Sequence, residues 1–108
     1  MQVRRIVTGH TPGGKAIFAS DTRVEGITVA MAPGVEFHNL WGGDTPPTFP
    51  DAGAPRPEHG YFPPLGGFRF GLFTIPPSSV VAPPGLDMTA ALAEVEAKLP
   101  GMLAVLEK

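Results

Sequence analysis

Cysteine is absent from the 108 residues, which excludes disulfides, thiolate nucleophiles and Cys-ligated metals and leaves the redox compartment open. Charge is sparse as well. Only 17% of the residues are Asp, Glu, Lys or Arg, and the net charge of −2 divides into +3 over residues 1–24, −3 over 25–85 and −2 over 86–108. Nucleic-acid phosphates demand clustered Lys and Arg, and Arg4-Arg5 is too small a cluster, so no nucleic-acid partner is expected. No apolar run approaches the ~20 residues of a membrane span. The basic N-terminus lacks a continuous apolar stretch before Thr8-Gly9-His10 interrupts it, so neither a signal peptide nor membrane attachment is expected. The cytoplasm is the expected compartment.

Glycine and proline are plentiful instead, 14 of each, beside a hydrophobic fraction of 43% that argues against disorder. They fall between apolar runs without forming a repeat, as turns and loops of a mainly β protein do. The length allows one domain over residues 1–108, with a modest core. The densest apolar run is 68–75, where Phe68, Phe70, Leu72 and Thr74 alternate with Arg69, Gly71, Phe73 and Ile75. Both faces are largely apolar, which predicts a strand inside a sandwich or barrel, with Arg69 near the rim and Gly71 at a bend or close approach. Gly66-Gly67 opens this run and Pro76-Pro77 closes it.

Residues 3–8 read as a short first strand flanked by charge, suited to a sheet edge or to pairing with another chain. Thr11-Pro12-Gly13-Gly14 is a turn, 15–20 the return strand and 21–26 a polar linker. Further strands are predicted at 27–30 and 35–41, the latter with Val35, Phe37, Asn39 and Trp41 on one face and Glu36, His38 and Leu40 on the other. Proline-rich residues 42–66 form a long loop, of the kind that covers a site or contacts a partner, pinned by Phe49, Tyr61 and Phe62. Asp87 is a good N-cap for a helix over 88–99, with Met88, Leu92, Val95 and Leu99 as one apolar stripe and Glu94 paired to Lys98. Pro100 stops it, and 101–108 can add a further turn or two of helix.

His10, His38 and His59 are the obvious acid–base or metal candidates, yet their spacings match no local metal motif. His38 carries the most weight, because Glu36 lies on its face of the strand; a solvated strand face is the plainer account of that pair. Trp41, Phe49, Tyr61 and Phe62 are candidate walls of a small-molecule pocket, although aromatic residues in a small β protein ordinarily form core. Glu36, His38, Trp41 and Tyr61 are thus the candidate ligand-binding set, with no catalytic residue identified and no metal site assigned. Gly13-Gly14-Lys15 lacks P-loop spacing, and Ser20, Ser78 and Ser79 have no glycine elbow or nearby histidine.

The order of segments resembles the beginning of small bacterial cupin-domain proteins. The likeness runs through Arg4-Arg5-Ile6-Val7-Thr8-Gly9-His10, Gly14-Lys15, Ser20-Asp21, Phe37-His38-Asn39-Leu40-Trp41 with Asp44-Thr45-Pro46, and Phe68-Arg69-Phe70 leading into Ile75-Pro76-Pro77. It ends in the Asp87-capped helix with Pro100-Gly101. It covers nearly the whole chain through motifs that are individually unspecific. The resemblance implies a partial cupin-like, jelly-roll barrel with a C-terminal helical segment, 1–108 being one such domain or the N-terminal part of one. The family's metal motif has two histidines one residue apart, then a glutamate and a later histidine. No His-x-His occurs here, so no ligand is carried over and no cofactor is expected within this chain. A divalent metal is expected only of a chain that continues into that motif.

The resulting expectation is a cupin-like protein of unassigned reaction that binds a small molecule in its complete form. The alternative is a non-catalytic β-rich interaction module that dimerises through its first strand and C-terminal helix. A homodimer is expected under both.

Overall fold

The computed structural model describes residues 1–106, in the order β1 (Val3–His10), β2 (Ala16–Val24), β3 (Phe37–Gly43), β4 (Phe68–Phe73), α1 (Met88–Lys98) and α2 (Met102–Leu106). The chain is mainly β, in two separate two-stranded antiparallel sheets, β1–β2 and β3–β4. There is no closed barrel among the described residues.

The first hairpin forms as its turn chemistry dictates. Gly14 sits at φ 88° and donates its N–H to Thr11 O, a conformation glycine adopts without Cβ strain. β2 extends to Val24, so residues 21–24, expected as linker, are strand: Thr22 and Arg23 are held in register by Arg5 and Arg4 of β1. The strand expected at 27–30 reduces to one bridge, Ile27 with Phe37. Its side chains are used in the core instead.

That core lies between residues 27–37 and the C-terminal helices. Val29, Val95 and Leu99 are buried together, with Phe37, Tyr61 and Met102 packed against them. Asp87 caps α1 by accepting the Ala90 N–H at 3.2 Å, and Leu99 closes it before Pro100. The stripe turned inward is Ala91, Val95 and Leu99, whereas Met88 and Leu92 of the expected stripe are 53% and 39% exposed. Through Val95 and Leu99 the helix packs on Val29, with Ile27, Met31 and Ala32 alongside. Two polar contacts fix that seat: Glu94 accepts the Ala30 N–H at 2.6 Å and Lys98 Nζ donates to Thr28 O at 2.8 Å. The Ala30 amide and then Lys98 hold the Glu94 carboxyl below its ordinary range.

β3 and β4 pair through a bulge between Asn39 and Trp41, where Leu40 is the extra residue. β4 was expected inside a sandwich. It is an edge strand, with Phe70 and Phe73 each 60% exposed. The Cα radius of gyration, 16.9 Å, exceeds the ~13 Å of a compact domain of this length. Uncovered apolar strand faces and an open shape are two views of one fact: the described chain has more apolar surface than cover for it. No described helix is long and apolar enough to cross a membrane.

Candidate functional site

Alternation from Glu36 into β3 places Glu36 and His38 on one face, and the two side chains meet with Glu36 Oε1 3.0 Å from His38 Nε2. The second neighbour of Nε2 is Met1 O at 3.2 Å. Both are acceptors, so the proton sits on Nε2 and is shared between them. His38 is fully buried, contrary to the expectation of a solvated pair, because the N-terminus folds over it and the Met1 ammonium pairs with Glu36 at 3.4 Å. Its Nδ1 has no hydrogen-bond partner among the described residues, and neither does the buried Nε of Arg5. A buried polar atom without a partner costs ~1–3 kcal/mol.

Arg5 reaches from β1 to β3, donating to Leu40 O at 2.8 Å with its guanidinium 5.8 Å from the centre of the Trp41 ring. His38, Trp41 and Arg5 all line a groove of about 610 Å³ whose opposite wall is loop 55–63, including Tyr61. Three of the four residues chosen from the sequence therefore share one cavity. Glu36 does not line it and acts through His38. Tyr61 stacks edge-on against Phe37 at 6.3 Å and Phe62 at 4.9 Å, and its N–H donates to Pro100 O, which ties the wall to the end of α1.

The wall is held by a residue expected only at a rim. The Arg69 side chain is 16% exposed and makes five hydrogen bonds: Nε and Nη2 to Gly60 O, Nη1 to Gly43 O and Phe68 O, and Nη2 to Asp44 at 2.6 Å. The planar fork of guanidinium donors is what allows one side chain to gather β3, β4 and loop 55–63. Asp44 also accepts from both the backbone N–H and the Nδ1 of His59, the latter at 2.6 Å. His59 first, then Arg69, hold the Asp44 carboxyl below the ordinary aspartate range. Because Nδ1 faces a carboxylate, His59 presents Nε2 outward at the groove, on a side chain 83% exposed. An oriented, accessible imidazole of this kind can donate, accept or move a proton.

Asp44 and Arg69 are in no sequence-derived set, and His59, an acid–base candidate from the sequence, is outside the ligand-binding set. Asp44 and His59 lie 15 residues apart on either side of a proline-rich loop, with no local spacing to join them. The available signal was Arg69: a charge between Phe68 and Phe70 needs a partner.

The donor set does not fit a divalent metal. Among the described residues no three His, Asp or Glu side chains converge. Glu36 and His38 are completed by Met1, His59 by Asp44, and His10 by Asp51 and the Phe49 ring. No family model, curated protein or solved structure matches the chain, so the cupin resemblance rests on its own segment order.

Proposed function

We propose that this chain is a small-molecule-binding protein of cupin-like build that takes its ligand in the groove between the β3–β4 sheet and loop 55–63. The observation that carries the reading is the convergence of His38, Trp41 and Tyr61 on one cavity of about 610 Å³, inside the ~300–1,000 Å³ range of ligand sites. Around the cavity three guanidinium groups, of Arg5, Arg56 and Arg69, stand against one carboxylate, Glu58, with Asp44 behind Arg69. Aromatic walls with a modest cationic excess suit a small aromatic carboxylate. The jelly-roll part of the proposal is supported by the order of segments and by the antiparallel pairing; no reaction is assigned.

Trp41 is the single tryptophan of the chain, so its fluorescence reports occupancy directly. Titration with benzoate is expected to give a saturable change, and Tyr61→Ala to weaken it by about tenfold, the effect of removing one aromatic contact. A change that does not saturate, or that Tyr61→Ala leaves intact, contradicts the reading. A second reading is a non-catalytic interaction module; Phe70 and Phe73, each 60% exposed, support it at β4 instead of at the first strand and C-terminal helix expected from the sequence.

A further inference from the structure

The outer edge of β4, whose residues also line the ligand groove, has no strand beside it. Thr74 N–H donates to Glu36 O on the β3 side at 3.0 Å. Alternation along an antiparallel ladder therefore turns the N–H and C=O groups of Phe73, Gly71 and Arg69 away from β3. β4 has no second strand neighbour, and none of those outward groups has a partner among the described residues. Free edges of soluble proteins are ordinarily guarded by lysine, proline or an inward-pointing charge. Here the one charge on the strand, Arg69, is already engaged by Asp44, and proline begins only at Pro76.

We propose that two copies of this chain join edge to edge through β4, antiparallel about a two-fold axis at Gly71, to make one continuous sheet of strands β3, β4, β4 and β3. An antiparallel edge is self-complementary, so a second copy is the occupant that needs no other feature. Placing Gly71 opposite Gly71 sets Phe73 opposite the second copy's Arg69 and uses every outward group of Arg69, Gly71 and Phe73. Shifting the register by two residues, to put Phe70 opposite Phe70, leaves Phe73 unpaired. The same register sets Phe70 directly against the second copy's Leu72, while the absence of a Cβ at the axis lets the backbones close.

Phe70 and Phe73 are 60% exposed, Leu72 43% and Ile75 80%. They alternate between the two faces of the strand, so edge pairing brings Phe70 beside the second copy's Leu72 on one face.

Two experiments test the proposal on the intact chain. Sedimentation is expected to give a dimer, and Phe70→Lys, which sets like charges close together across the axis at an exposed position, to raise its Kd by about tenfold or more without changing the far-UV circular dichroism. Because the native chain has no cysteine, chains carrying Phe70→Cys and Leu72→Cys can be mixed and mildly oxidised. The mixed 70–72 disulfide is expected to dominate over both self-disulfides, since only that pair is directly opposed. A monomer overturns the proposal. So does a dimer in which the self-disulfides equal or exceed the mixed one, because the copies would then meet in another register or on another face.

Discussion

Replacing Arg69 by lysine keeps the charge and removes the fork. The ammonium can still meet Asp44, but it cannot also reach the carbonyls of Gly43, Gly60 and Phe68, which the guanidinium holds at 2.9–3.1 Å. At 16% exposure the side chain is shielded enough for these bonds to count. A hydrogen bond from a charged donor contributes ~1.5–3 kcal/mol, and water recovers part of that at the half-buried carbonyls, so the net loss is about 2–3 kcal/mol. With a urea m-value of ~1–3 kcal/mol/M for a protein of this size, the unfolding midpoint should fall by about 1–2 M. Trp41 fluorescence follows the transition. Amide exchange should quicken at His59, Gly60 and Tyr61, because the loop bearing them is fastened at Gly60 O. If Arg69→Lys unfolds within ~0.5 kcal/mol of the parent and leaves that exchange unchanged, the wall of the groove is held by something else.

Two further expectations follow from the same geometry. Leu99 is fully buried in a small core, so Leu99→Ala should cost ~2–5 kcal/mol in chemical denaturation; a cost below about 1 kcal/mol would mean that the helix is not seated on residues 27–37. The Asp44 and Glu94 carboxyls are both held below their ordinary ranges by hydrogen bonds present only in the folded chain. Their stabilisation is therefore complete above the unfolded carboxylate pKa of ~4 and is lost as pH falls through the lower folded values. Acid unfolding of Asp44→Asn should accordingly show a shallower pH dependence than the parent, and an identical dependence would remove Asp44 from the account.

The parts of this structure legible in the sequence are those decided locally. Asp87 and Pro100 bracket α1, Gly14 makes the first turn, and the apolar runs become β1 to β4. What the sequence concealed depends on residues far apart in it. The bulge at Leu40 comes from the pairing of β3 with β4, not from either strand alone, and His38 is buried because Met1 folds across it. Arg69 meets Asp44 across 25 residues and Gly60 across 9. The two-faced apolar pattern of β4 predicts a buried strand. Alternation records what the side chains favour, and the described chain leaves those faces open. The aromatic candidates Trp41 and Tyr61 were recognisable by type; the arginine that holds their groove together was not.

The central claim, that the groove is a ligand site, is tested most directly by mapping benzoate onto the backbone amides with isotope-labelled protein. The account predicts saturable shifts confined to the groove, led by the Trp41 indole and the amides of His59 and Tyr61, with the β1–β2 hairpin tip and the exposed face of α1 unmoved. Shifts that gather along α1 or the hairpin, or none at all at saturating benzoate, would contradict it.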